Sequence, residues 1–301
     1  MTKISRLLLK FSRRLFTAET EQTRFIEALT APQPFHPCIL WCKEKAIPNP
    51  FNLEPALFWQ PAFVDRLELT AKPGQNPLHQ QGHFYCLDFS SVFAASVLTA
   101  IDSPIENILD LCAAPGGKSI FAWKTLHPEM LFSNETIGKR IGMLKSNLKR
   151  CQIQPATILN LDSSILAERF ENAISVAIVD APCTGQSLLA KGQKAPGCFH
   201  PVAINKNANR QKRILANAAK TVAPQGYLAY MTCAYSIEEN EHVCAWLMKR
   251  FPEFRPVSIP HLLQHQSHLS ELPCYRMWPQ AGLGSGAFTM LFQNVEYSAR
   301  S

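Results

Sequence analysis

The stretch Ile108-Leu109-Asp110-Leu111-Cys112-Ala113-Ala114-Pro115-Gly116-Gly117-Lys118-Ser119 decides the fold. Its first four residues read as a short apolar strand, and Ser119 to Leu126 as a helix. Between them lies a turn of small residues with paired glycines, where a ligand can approach the backbone closely. The start of the helix favours a carboxylate or phosphate. A phosphate-binding P-loop would need Gly at position 112, which is Cys, and the dinucleotide fingerprint G-x-G-x-x-G is absent. Two readings remain: a tight turn without a ligand, or a site for a nucleoside bearing a small anionic group, which S-adenosylmethionine fits.

Downstream of this turn, strand-like and helix-like segments alternate. Met130-Leu131-Phe132, Ala156 to Leu161, Val176-Ala177-Ile178-Val179, Tyr227 to Met231 and Phe288 to Phe292 read as strands. Ile137 to Arg150, Asn205 to Val222 and Glu238 to Arg250 read as helices, and an amphipathic helix over Phe89 to Ala100 precedes them all. Such alternation predicts an α/β fold with a parallel sheet covered on both faces. Ligands of these sheets bind beyond the carboxyl ends of the strands.

Acids and cysteines fall at those ends. Asp110 closes the first strand, Glu135 follows the second, Asp162 the third and Asp180 the fourth. Each could cap the following helix, but four in succession mark the rim of one crevice. Glu135 stands near where such folds place an acid on ribose hydroxyls. The fourth strand runs into Asp180-Ala181-Pro182-Cys183-Thr184-Gly185, and the fifth into Thr232-Cys233-Ala234-Tyr235-Ser236. An isolated Cys is usually a small core hydrophobe. Two at successive strand ends, one beside an acid, point to chemistry, and sequence alone does not order them.

Upstream, residues 32–83 are rich in Pro and poor in helical periods, with strand-like pieces such as Cys38-Ile39-Leu40-Trp41. They predict a small appended α+β domain, with the division placed at residues 1–80 and 81–301. At the start, Ile4, Leu7, Leu8, Phe11 and Leu15 share a helical face among Lys3, Arg6, Lys10, Arg13 and Arg14. This pattern suits a transit peptide or a docked amphipathic helix, and its continuation through Phe25, Ile26 and Leu29 favours docking.

The chain has 301 residues, is 47% hydrophobic and has a formal charge of +7. That is ample material for a core, and no apolar run is long enough to cross a bilayer. The modest positive balance suits nucleic acid as well as a mildly basic soluble protein. Ten cysteines in a chain of this size are expected as free thiols in a reducing, cytoplasmic compartment. Cys38 and Cys42 lack a second ligand pair at zinc-finger spacing, so no metal site is expected.

At these motifs the chain resembles the Nop/Sun family of RNA cytosine-5 methyltransferases, over roughly residues 80–295. The likeness rests on Asp110 to Ser119, Asp180 to Gly185, Thr232-Cys233 with Glu238-Glu239-Asn240-Glu241, and Arg276 to Pro279 with Gly286-Ala287-Phe288. It implies a Rossmann-like class I methyltransferase with a mostly parallel seven-stranded sheet, using S-adenosylmethionine on ribosomal or transfer RNA, expected as a monomer. It implies that Cys112, Ala113, Ala114, Pro115, Gly116, Gly117 and Lys118 wrap the methionine end of the cofactor. Glu135 would hold the ribose, with Arg140 beside it, and Asp162 would meet the adenine. Asp180 would lie between cofactor and base, Cys233 would be the nucleophile, and Cys183 would assist release. The chain departs from the family at Leu87, where Gln is usual, and at Ala287, where an aromatic is usual.

Basic residues of two helices and of the loop Gln186 to Pro201 are candidates for holding an RNA backbone: Lys139, Arg140, Lys145, Lys149 and Arg150; Lys206, Arg210, Lys212 and Arg213; Lys191 and Lys194. Two rival readings compete with this one. Amino-methylating enzymes carry an aromatic residue where Cys183 stands. A non-catalytic RNA-binding assembly factor would have no need of an intact cysteine pair.

Overall fold

The structure, a computed structural model, describes residues 5–296; Lys3 and Ile4, read as part of the first helix, lie outside them. In chain order the elements are α1 (Arg6–Leu15), α2 (Glu19–Thr30), β1 (Cys38–Trp41), β2 (Val64–Arg66), α3 (Pro77–Gln80), β3 (Phe84–Cys86), α4 (Phe89–Ala95), β4 (Asn107–Asp110), α5 (Gly117–Leu126), β5 (Met130–Asn134), α6 (Gly138–Arg150), β6 (Ala156–Leu159), α7 (Ser163–Arg169), β7 (Ile174–Asp180), α8 (Pro201–Thr221), β8 (Val222–Thr232), α9 (Glu241–Arg250), β9 (Phe254–Pro256), β10 (Tyr275–Met277) and β11 (Ala287–Asn294).

The large sheet runs β10-β11-β8-β7-β4-β5-β6. The five strands from β8 to β6 are parallel, and β11 lies antiparallel between β8 and β10. These seven strands match the expected sheet, and β9 adds an eighth by pairing with β11 off this path. Strands β9 and β10 have three residues each, too few for an alternation to be read.

Successive strand residues face opposite layers, so both faces must be apolar. Ile108, Val176, Met231 and Leu291 pack on one side with Phe93 and Phe121 of α4 and α5. Leu109, Ala177, Tyr230 and Phe288 pack on the other with Leu215 and Leu247 of α8 and α9.

A second sheet, β2-β1-β3, is antiparallel. Its third strand lies beyond residue 80, where the division of the chain was expected. The N-terminal helix pair packs elsewhere. The chain breaks between α1 and α2, and Leu8, Phe11, Leu15, Phe25 and Leu29 bury themselves with Ala190, Ile204 and Tyr235 of the large domain. Leu7, expected on the docked face, is 40% exposed. Among the described residues no helix is long and apolar enough to cross a membrane.

Candidate active site

A cleft of about 590 Å³ opens at the carboxyl ends of β4, β5, β7 and β8. Of the glycine turn, Cys112, Ala114 and Lys118 line it. Ala113, Pro115, Gly116 and Gly117 shape the turn instead. Gly116 takes φ +116 at the start of α5, a left-handed conformation that disfavours side chains. A Cβ on Gly117 would meet Leu87 Cδ1 at 2.6 Å. So the residue standing where the family has Gln packs against the turn. Asn147 Nδ2 donates to the Pro115 carbonyl at 2.8 Å, and Arg140 donates to the Ala114 carbonyl.

Asp110 is fully buried behind the turn. The Ser119 hydroxyl donates to its Oδ2 at 2.7 Å and the Cys112 N–H to its Oδ1 at 3.2 Å. Burial pushes its carboxyl up to about 7, against the pull of the Ser119 hydroxyl.

At one end of the cleft, Glu135 Oε1 accepts from the Ile137 N–H at 2.8 Å. Its Oε2 lies 3.0 Å from Arg140 Nη1, but not in line for a hydrogen bond, and this buried oxygen has no hydrogen-bond donor. An orphaned acceptor in the wall of a cleft suits a ligand that brings hydroxyls. The residues present therefore fit the ribose of S-adenosylmethionine. Asp162 lines the same end, but its Oδ1 caps α7, accepting from the Ser164 N–H at 3.0 Å and hydroxyl at 2.9 Å. It is at once the rim acid and the helix cap.

At the other end stand Asp180, Cys183 and Cys233. Lys118 Nζ donates to Asp180 Oδ2 at 3.0 Å. The two sulfurs lie 3.0 Å apart as free thiols sharing one hydrogen bond. That bond holds the Cys183 thiol well up, with burial adding to it. It draws Cys233 down, helped by the Ser187 hydroxyl and the Lys118 ammonium against burial and Asp180. The shared bond and the surrounding groups thus push the two thiols in opposite directions.

The Cys233 turn is braced from three directions. Asn240 accepts the Thr232 hydroxyl at 2.5 Å and donates to the Ala234 carbonyl at 2.8 Å. Gln186 Oε1 accepts from the N–H groups of Tyr235 and Ser236 at 2.6 and 3.0 Å. Arg276 Nη1 donates to the Tyr235 carbonyl at 3.1 Å, and the Phe25 ring of α2 meets the Tyr235 ring edge-on. Gln186 carried no motif signal. Nor did the pair that spans the mouth of the cleft, where Lys191 Nζ lies 2.7 Å from Asp88 Oδ2 at the cap of α4.

An α/β sheet with its cleft at the strand ends, carrying this turn, defines a Rossmann-like methyltransferase. The family model described as 16S rRNA methyltransferase RsmB/F matches residues 97–293, and the chain belongs to this family. The Nop/Sun likeness read from the motifs agrees with it. The ribosomal RNA small subunit methyltransferase F of Escherichia coli O139:H28 is 29% identical over 255 residues, 83% of this chain and 50% of that protein. Its namesake in Pectobacterium carotovorum subsp. carotovorum is 28% identical over 209 residues, 68% of this chain and 43% of that protein. The chain thus spans about half the length of the curated relatives it matches. Among solved structures, a methyltransferase homolog protein from Pyrococcus horikoshii has a TM-score of 0.79 at 21% identity, covering 97% of this chain and 95% of that one. The NSun6 of the same organism, solved with SFG, has a TM-score of 0.76 at 16% identity, covering 97% and 99%.

Proposed function

We propose that this chain transfers the methyl group of S-adenosylmethionine to carbon-5 of a cytosine in RNA, through a covalent bond between Cys233 and carbon-6. The observation that carries this reading is the pair of thiols 3.0 Å apart, beside the Lys118–Asp180 ion pair and at the end of the cleft opposite Glu135.

The cofactor would lie between the glycine turn and Glu135, with Arg140 and Asp162 beside it, and it supplies an electrophilic methyl group. The cytosine ring is a weak nucleophile at carbon-5 until a thiolate adds to carbon-6. Cys233 is the thiol whose environment favours the thiolate. Asp180 would relay a proton from the Lys118 ammonium to the ring nitrogen as negative charge develops there, and would take it back when Cys233 leaves.

After transfer, the carbon-5 proton must leave before Cys233 can depart. Cys183 is assigned to take it, directly or through water. Its proton is held chiefly by the bond to Cys233. Once Cys233 is joined to carbon-6 its charge is gone, and Cys183 can release that proton to solvent and act as the base. The two cysteines would thus act in sequence.

An unpaired or flipped nucleotide must reach this end of the cleft. Lys206, Arg210 and Arg213 follow one another along one face of α8 at i, i+4 and i+7, all exposed, and the last two line the cleft. They form the proposed track for the RNA backbone. Four cations named from sequence are engaged within the protein: Arg140 donates to the Ala114 carbonyl, Arg150 donates to the carbonyls of His79 and Phe84, Lys191 pairs with Asp88, and Lys212 lies over the Trp246 ring.

The test is a mutant pair, with labelled methyl transfer into RNA as the activity. Cys233→Ala should form no covalent RNA adduct, whereas Cys183→Ala should accumulate the methylated adduct. An adduct that persists in Cys233→Ala overturns the assignment. Folded wild-type protein that transfers no label to any RNA favours an assembly factor.

A further inference from the structure

Glu239 is completely buried, yet its carboxylate takes hydrogen-bond donors in place of a cation. Oε1 accepts from the Thr184 N–H at 2.9 Å and from Gln211 Nε2 at 3.0 Å. Oε2 accepts from the hydroxyls of Thr184 at 2.7 Å and Ser236 at 2.6 Å. Four donors converging on two oxygens is the pattern an ionised carboxylate satisfies. Gln211 also donates to the Pro182 carbonyl at 3.1 Å. The residues on both sides of Cys183 are therefore tied to Glu239, and so is the turn that carries Cys233.

We propose that Glu239 is the positioning residue of the cysteine pair: its buried carboxylate binds the Cys183 turn to the Cys233 turn and sets its negative charge against the Cys183 side. The argument rests on cost and on place. A buried charge without a counter-ion is expensive, and neutral side chains could fasten two turns. The charge also lies on the Cys183 side, where it opposes a thiolate. On the Cys233 side stand the Ser187 hydroxyl and the Lys118 ammonium, with Asp180 opposing them. The other titratable groups facing the pair are the buried phenols of Tyr230 and Tyr235, both pushed up by burial, and the Cys112 thiol, also pushed up by burial. None of these three carries the asymmetry. Glu239 adds to the asymmetry that Ser187 and Lys118 make on the other side, because it is bonded to one cysteine's immediate neighbour and only to the far end of the other's turn.

This inference rests on the proposed assignment of Cys183 and Cys233 to catalysis, but its test uses neither RNA nor cofactor. The 301-residue chain is labelled with iodoacetamide from about pH 6 to about pH 9, and the rates at Cys183 and Cys233 are read separately by peptide mass spectrometry. In the wild type Cys233 should label at least about tenfold faster than Cys183 near neutral pH. Glu239→Gln should close that gap by raising the Cys183 rate. Thr184→Val, which leaves the charge but removes one tether, should narrow it less, and it decides the matter if Glu239→Gln does not fold. An unchanged ratio in folded variants overturns the proposal. So does a rise in both rates by the same factor, since that is loss of packing. Failure of methyl transfer with the labelling pattern intact would instead sink the functional reading.

Discussion

Arg276 grips Glu241 with two hydrogen bonds, Nε to Oε1 at 2.6 Å and Nη2 to Oε2 at 2.5 Å, and both side chains are about 3% exposed or less. Burial raises the Glu241 carboxyl, but the guanidinium outweighs it and holds the group below the usual carboxylate range. Removing one partner leaves an uncompensated buried charge, which costs about 3–5 kcal/mol. Arg276→Met or Glu241→Leu alone should therefore lose about that much in urea unfolding. The double variant should recover most of it. Methyl transfer should not recover with it, because the Tyr235 carbonyl, two residues past Cys233, has lost its donor from Arg276.

Gly117 and Leu87 are matched in shape. A Cβ at 117 would stand 2.6 Å from Leu87 Cδ1 and 3.3 Å from Tyr85 Cε1. Gly117→Ala should cost about 1–3 kcal/mol through overpacking. Adding Leu87→Ala should relieve part of that cost. A coupling energy above about 0.5 kcal/mol in the double-mutant cycle confirms the contact; strict additivity refutes it.

Asp110 gives the fold a pH dependence of its own. Its carboxyl is raised from 3.8 to about 7, so the folded state holds a proton that the unfolded chain releases earlier. The stability this confers is fully present below 3.8 and is lost as pH rises through about 7. Asp110→Asn keeps an acceptor for the Ser119 hydroxyl and removes the titration. Relative to wild type, its melting temperature should rise steadily across that window. A parallel pair of curves would show that Asp110 does not titrate there.

The ion pair at the mouth of the cleft separates two kinds of basic residue. Burial raises the Asp88 carboxyl, but Lys191 and the Ser90 contacts bring it down overall, so the pair persists until pH falls through that lowered value, below 3.8. Lys191 is already neutralised, and its side chain is 33% exposed, so Lys191→Met should cost under about 1 kcal/mol and barely change RNA affinity. Asp88→Asn keeps a good cap for α4 and frees a cation, so it should tighten RNA binding. Arg210→Met should weaken binding and flatten its salt dependence by about 0.7 in log–log slope. Equal effects from Lys191→Met and Arg210→Met would contradict this division.

The strand ends were legible from sequence because an apolar run followed by an acid or a small residue is a local pattern. That pattern placed Glu135, Asp162, Asp180, Cys183 and Cys233 on one cleft. The glycine turn was legible as a turn but not in its parts: three of its seven named residues line the cleft and the others build the bend. Glu239 and Arg276 stood within quoted motifs, yet their partners lie in other elements, set by packing rather than spacing. Gln186 was invisible, since a polar residue in a loop looks solvated until its side chain is found holding two backbone amides. Helix α7 was missed because its seven residues carry too short a period.

The packing of α1 and α2 behind Tyr235 has a consequence for the order of assembly. His268 shares a hydrogen bond of 2.7 Å with the Leu15 carbonyl, 253 residues apart in the chain, and Trp278 packs against Phe16 and Phe25. Helices α1 and α2 therefore stay unsheltered in a growing chain until the segment carrying His268 and Trp278 has been made. Their docking is the late step, and it closes the wall behind the Cys233 turn. A nascent chain halted short of residue 268 would hold a finished glycine turn but a Cys233 turn without its outer wall, so the two ends of the cleft are completed at different times.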